Sequence, residues 1–511
     1  PFTVDTAVSP ETTVGLDVNS NSGSTADSIT NDTTPTISGT AEPGSTVSVV
    51  AGGQTLSTKV AADGTWSVTP PTALADGDYA PVVTVTDPAG NTSTTTGSPI
   101  TIDTTVSPAT TVGLDIGSNS GSTSDNITND TTPTLNGTAE PGATVSVVIG
   151  GQTLTATAAA DGTWSVTPTT ALTNGDYTPV VTVTDAAGNS ATTVGASITI
   201  DTVVAPATTG ALASSSDSGL VGDNTTNSTT PTISGTAEPG ATIKVVVGGQ
   251  TLTATAAADG TWSVTAATLA AGTYTPAITT TDKAGNTATS TATAFTIDTS
   301  VTTTAKLDSS SDSGTAGDNI TNDNTPTISG VTEPGASVKV VVGGQTLTTT
   351  ANASGAWSVT PTTVLADNTY TPVVTVTDVS GNTATVNGTA FKVDTVTTVT
   401  VALASASDTG SSTTDNITKV TTPTFSGTAE PGASIKVVVG GQTLTTTADA
   451  TTGAWSVTAA TLPAGSYAPV VTATDKAGNT ATAIGSTVTI DTAVAPATTG
   501  ALASSSDSGL V

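Results

Sequence analysis

Five tryptophans constrain this chain more than any other feature. Trp66, Trp164, Trp262, Trp357 and Trp455 follow one another at spacings of 98, 98, 95 and 98 residues. A second marker, the Asp of an Ile/Val-Asp-Thr tripeptide, keeps the same step as Asp5, Asp103, Asp201, Asp298, Asp394 and Asp491. From Ile490 to Val511 the chain copies Ile200 to Val221 with Ala493 in place of Val203. Self-similarity at a fixed period means an array of small domains rather than one large core. The boundaries expected are 1–5 for the end of a preceding repeat, then repeats at 6–103, 104–201, 202–298, 299–394 and 395–491, and 492–511 for the start of a sixth. On this reading the chain is an excerpt.

Each copy reads as about seven short strands. In the second copy these are TTVGLD, TPTLNGTA, TVSVVIG, QTLTATA, TWSVT, YTPVVTVTD and ASITID. Gly150-Gly151, Asp161-Gly162 and Ala187-Gly188-Asn189 supply the turns between them. Alternation in YTPVVTVTD puts Tyr177, Pro179, Val181 and Val183 on one face, the pattern of a half-buried strand. The fold class expected is all-β, a tandem array of immunoglobulin-like sandwiches without disulfides, since the chain has no Cys. Trp and Tyr are expected in the core, with Gly-Asp-Tyr forming a tyrosine corner.

The recurring segments T-P-T-I-S-G-T-A-E-P-G, G-G-Q-T-L, D-G-T-W-S-V-T, V-T-V-T-D-x-A-G-N and I-D-T, with an S-D-S-G…D-N-I-T loop, resemble bacterial immunoglobulin-like repeats. Such repeats are the extender modules of giant adhesins and biofilm-associated proteins secreted by type I systems. The resemblance covers all five copies. It implies calcium bound near domain junctions, a stiffened array, display outside the bacterial cell, and a terminal adhesive domain held away from the surface.

The residues support a cation on their own terms. The net charge of −31, from 40 acids and 9 basic residues, argues against nucleic acid, whose phosphates need basic patches. Leu307 to Asp323 carries Asp308, Asp312, Asp318 and Asp323 with no basic residue among them. Neighbouring carboxylates at contact distance repel by about 1 kcal/mol in water and more at low dielectric. Calcium accepts six to eight oxygens in tolerant geometry, and short acidic loops supply them. In an immunoglobulin sandwich the loop after the first strand shares a pole with the end of the last. The Glu of A/T-E-P-G and the Asp of T-D-x-x-G-N share the opposite pole. End-to-end stacking then gathers one candidate set per junction. The first is Asp27, Asp32 and Asp103 against Glu140 and Asp185. The second is Asp125, Asp130 and Asp201 against Glu238 and Asp282, and the third Asp217, Asp223 and Asp298 against Glu333 and Asp378. The fourth is Asp308, Asp312, Asp318, Asp323 and Asp394 against Glu430 and Asp475, while Asp408, Asp415 and Asp491 end the fifth repeat. The competing reading is that these acids are solvated turn formers, the T-D-x-x-G-N Asp bracing its own turn. Asp17-x-Asn19-x-Asn21 is not an EF-hand, because Gly23 falls one position late and Ser28 stands where the bidentate Glu belongs.

Catalysis is not expected: there is no His, Cys or Arg, and no nucleophile beside a base. Two functions stay open. One is a calcium-rigidified spacer, with neighbouring repeats as its partners and a length on the order of 150 to 200 Å. The other is a set of repeats that bind glycans or self-associate with like arrays on other cells or in a matrix. Nothing spans a bilayer, because no long apolar run occurs.

Overall fold

The structure is a computed structural model, which describes residues 3–8, 11–206 and 208–494. The expected start of a sixth repeat lies almost entirely outside the described residues. Among those described, the only helical turn is Ser405–Ser407, and no helix is long and apolar enough to cross a membrane. The chain divides into two units. One comprises Pro1–Ala211, Thr232–Ala266 and Thr275–Thr293, and the other Leu212–Pro231, Ala267–Tyr274 and Ala294–Val511. The first unit holds repeats one and two with part of the third, and the second unit holds the rest.

The first repeat sets out the plan. Its strands are β1 (Gly15–Leu16), β2 (Ile29–Thr30), β3 (Ile37–Thr40), β4 (Thr46–Ala51) and β5 (Gln54–Lys59). They continue as β6 (Thr65–Val68), β7 (Gly77–Tyr79), β8 (Val82–Thr86), β9 (Thr92–Thr96) and β10 (Ile100–Ile102). Three sheets result, in the orders β1-β3-β6, β5-β4-β8-β9 and β2-β10-β7. The pairing is antiparallel except between β2 and β10. Period-two alternation buries Val47 and Val49 of β4, Val83 and Val85 of β8, and Ile100 and Ile102 of β10 around Trp66. Gly52 and Gly53 (φ +56° and +73°) make the tight β4–β5 turn, where only left-handed residues match the strand twist. In all five repeats the Trp is only 4% exposed. The Tyr hydroxyl donates to a backbone carbonyl four residues upstream, as in Tyr177 to Thr173 at 2.9 Å, which is the tyrosine corner expected.

Ten strands replace the seven expected, for local reasons. YTPVVTVTD is not one strand: Gly175–Tyr177 pairs with Ile198–Ile200, whereas Val180–Thr184 pairs with Thr144–Ile149 in another sheet. Pro179 between them has no N–H to give a ladder, so the chain changes sheets there. Pro179, Val181 and Val183 are nevertheless buried. Ala187-Gly188-Asn189 precedes an edge strand, Ser190–Val194, rather than the last one. The D-N-I-T segment also contributes a strand, Ile127–Thr128, parallel to the last strand of its repeat. Its Asp125 Oδ1 accepts the Ile127 amide, and Asn126 takes φ +59°, a conformation Asn tolerates better than most residues. Two residues are too few for hydrophobic periodicity to reveal.

Candidate metal centres at the repeat junctions

Consecutive repeats touch directly within each unit. Ser22 and Ser24 of repeat one bond to the carbonyls of Ala187 and Ala186 in repeat two. Ser120 and Ser122 of repeat two do the same to Ala284 and Lys283 of repeat three. In the second unit Ser218 and Leu220 meet Ser380 and Val379, and Ser313 and Thr315 meet Ala477 and Lys476. The glycine between each pair has to be a glycine. A Cβ on Gly121 would lie 2.1 Å from the Lys283 carbonyl oxygen, and one on Gly219 2.1 Å from that of Val379. The loop after the first strand therefore seats on the T-D-x-x-G-N turn of the next repeat.

A carboxylate triad stands beside each of these four seats, and one more stands in repeat one. Asp5, Glu42 and Asp87 form the first; Asp103, Glu140 and Asp185 the second; Asp201, Glu238 and Asp282 the third. Asp298, Glu333 and Asp378 form the fourth, and Asp394, Glu430 and Asp475 the fifth. In each, one oxygen per residue lies within 4.8 Å of the others. The Asp of I-D-T arrives at the end of the last strand of one repeat; Glu and the second Asp come from two loops of the next. Asp185 is only 6% exposed. Its two oxygens accept the Asn189 amide at 2.9 Å and side-chain nitrogen at 2.8 Å, and the same Asn189 nitrogen donates to the Asp103 carbonyl. This Asp thus braces its turn and also faces the triad. Glu140 accepts the Ser107 amide at 3.0 Å. Burial pushes its carboxyl up from the usual range, and repulsion from Asp185 and Asp103 adds to this. Glu238, Glu333 and Glu430 are raised for the same leading reason.

The D-N-I-T loop acids stand outside the triads. Asp27, Asp125, Asp223, Asp318 and Asp415 each accept the amide two residues on, at 2.8 to 3.2 Å. Asp32, Asp130 and Asp323 do likewise toward Thr34, Thr132 and Thr325. Asp308 is held by Ser310, whose hydroxyl and amide lower its carboxyl pKa. These are turn-forming roles. Several oxygens in the same loop, however, are buried without any hydrogen bond: Oδ1 of Asp217, Asp312 and Asp408, and Oδ2 of Asp318. Asn21 and Asn119 occupy the matching position in repeats one and two, and their Oδ1 atoms are equally orphaned. Asp408 is only 4% exposed. An orphaned buried carboxylate oxygen is costly unless a cation or water serves it.

The junction sets expected from the sequence pair each full repeat with the one after it and so omit Asp5, Glu42 and Asp87, although all three stand in the recurring motifs. They also leave out Asn21 and Asn119 because these carry no charge. Alignment of the copies on Ser-Gly would have found both. Asp491 ends the fifth repeat with its Oδ1 accepting the Ala493 amide.

The model of the bacterial Ig-like domain matches residues 8–104, 105–202, 204–299, 300–395 and 395–492. The chain belongs to the bacterial Ig-like domain family. No curated protein sequence matches it. Among solved structures, the tetra-tandem repeat in the extending region of a large adhesion protein is 25% identical over 75% of this chain and 99% of its own, with a TM-score of 0.33. A calcium-stabilised adhesin that helps an Antarctic bacterium bind ice is 31% identical over 75% of this chain and 99% of its own, at a TM-score of 0.26. A bacterial ice-binding adhesin of 1.5 MDa is 26% identical over 57% of this chain and 98% of its own, at 0.29. The bacterial Ig-like repeats of this chain are thus five in tandem, each carrying an acidic triad at its amino-terminal pole.

Proposed function

We propose that this chain is the extender of a large bacterial surface adhesin, a spacer whose junctions are stiffened by calcium and which carries an adhesive domain away from the cell. The observation that carries the reading is the fivefold recurrence of an Asp-Glu-Asp triad, oxygens within 4.8 Å, where one repeat ends and the next begins. The donor chemistry suits a hard cation. Every ligand is an oxygen, and neither His nor Cys exists in the chain to favour a transition metal. Orphaned oxygens in the neighbouring loop add donors of the same kind. Calcium bound there supplies positive charge and several coordination positions shared by two repeats.

The chain's own residues do the rest. Asn189 and its counterparts hold the second Asp in place, and the Ser-Gly seat fixes the approach of the loops. Without a cation, burial first and repulsion from the two Asp second raise the Glu carboxyls, which marks the cost of holding these charges at the junction. Extracellular modules bind calcium at about 0.1 to 1 mM, so the junctions stiffen after export. Calcium titration followed by small-angle scattering tests this: chelation should make the array more flexible and millimolar calcium should restore it. Unchanged scattering and melting temperature on chelation would remove calcium as the organising ion.

A further inference from the structure

The five triads are not alike. In four repeats the residue two before the I-D-T Asp, or its equivalent, is Thr: Thr101, Thr199, Thr296 and Thr489. Residues i and i+2 of a strand share a face, so this side chain stands beside the Asp. The threonines turn to the neighbouring strand instead. Thr101 and Thr199 donate to Asp78 and Asp176 at 2.6 Å, and Thr296 and Thr489 meet Thr273 and Ser466. In repeat four the residue is Lys392. Its Nζ lies 2.6 Å from Asp394 Oδ2, with Asp394 side chain 9% exposed and the lysine 49%. Asp394, Glu430 and Asp475 all favour the charged lysine, Asp394 most.

We infer that Lys392 is a built-in counter-ion, supplying within the chain the positive charge that the other triads take from solvent, so that the junction of repeats four and five stays ordered when calcium is absent. This rests on the calcium reading for the other junctions. It makes the array mixed, with one junction fixed at any calcium level and the others conditional on the ion. The ammonium brings one charge and cannot satisfy six to eight oxygen ligands as calcium does. Calcium should therefore bind this junction more weakly while changing its order less. The wild-type comparison is with the triads at Asp103 and Asp298, because Lys283 acts on Glu238 in the third; Lys476 takes the same place beside Asp475 in the fifth, so Lys392→Thr, which keeps Lys476, isolates Lys392.

Amide exchange read on the whole chain tests this, at Asn189, Asn382 and Asn479, whose N–H groups donate to the triad residues Asp185, Asp378 and Asp475. In chelator, Asn479 of the wild type should stay protected while Asn189 and Asn382 open. Lys392→Thr, a residue the other repeats accept at this position, should speed Asn479 exchange in chelator on the order of fivefold and make it respond to calcium. Lys392→Arg should keep the wild-type behaviour, and Thr101→Lys should blunt the calcium response of Asn189. If Asn479 exchange in chelator is the same in the wild type and Lys392→Thr, or if Asn479 in the wild type responds to calcium as strongly as Asn189 and Asn382, the counter-ion role is wrong. If no wild-type amide responds to calcium, the calcium reading falls, and the Lys392→Thr result in chelator still decides the role of the lysine.

Discussion

The interior of a repeat and the junction between repeats are built from opposite materials. Inside repeat two, Trp164, Val145, Val147, Val181, Val183, Ile198 and Ile200 form an apolar core with almost no exposure. At its junctions carboxylates, Ser hydroxyls, Asn amides and one glycine make the joint, and the apolar part is small, the fully buried Ala187 and Ala284 of the turns on which the loops seat. Apolar burial is non-directional and needs no particular ion. The junction depends on charge and on close backbone approach, so solvent composition can change it while the repeat stays folded. On the extender reading proposed above, that division separates the folded repeats from joints that answer to the medium.

The largest test of this contrast is Trp164→Ala, which should cost about 3 to 5 kcal/mol and unfold repeat two early while leaving repeats four and five unchanged. Calorimetry of the variant checks it, and a common loss across all repeats would abolish the distinction between core and hinge. Next comes removal of calcium. An ion at ~100 times its dissociation constant contributes about 2.7 kcal/mol, so chelation should lower the melting temperature and speed exchange at Asn189 with little change at buried Val145 and Val183. Asp201→Asn should confine that loss to the junction of repeats two and three.

Gly121→Ala attacks the seat itself, since its Cβ meets the Lys283 carbonyl and its φ is +62°. It should cost about 1 to 3 kcal/mol, beyond Gly53→Ala, where φ is +73° but nothing lies within 4 Å. Equal effects in denaturation would mean that the seat contributes nothing. A smaller loss, about 0.5 to 1.5 kcal/mol, is expected for Tyr177→Phe, which removes the corner hydrogen bond and should leave junction exchange unaltered.

The smallest effect separates the two regions by pH. Glu140 and Glu333 are raised above 4.5 in the folded chain, so the folded state binds these protons more tightly than the unfolded one. In chelator, junction order should therefore rise as the pH falls through those raised values toward 4.5. With calcium present the same acidification should weaken the junctions, because protons compete for the ligands. Asp161 and Asp259, on the Trp-strand turns, are lowered below 3.8 by Thr163 and Thr261, and the stability they add is lost only in stronger acid. Exchange followed from pH 7 to 4 in both conditions reads the two signs.

Much of this was legible in the sequence. The Trp period required five domains, and alternation around Val145 and Val181 identified the buried faces, because side-chain direction in a strand follows from position alone. The recurring Asp103, Glu140 and Asp185 could be assigned to one junction, from the two facing poles that strand direction implies. What periodicity could not supply were the sheet change at Pro179 and the two-residue strand at Ile127–Thr128, both decided by hydrogen bonds to distant segments. Nor could it divide the acids by role. Asp125 and Asp185 are the same residue type in equally turn-like sequences, and only the three-dimensional approach of the next repeat leaves one with its own turn and sets the other against Asp103 and Glu140. The same holds for Lys392: one lysine among nine in the sequence, and a counter-ion only because its strand ends beside a triad assembled from two domains.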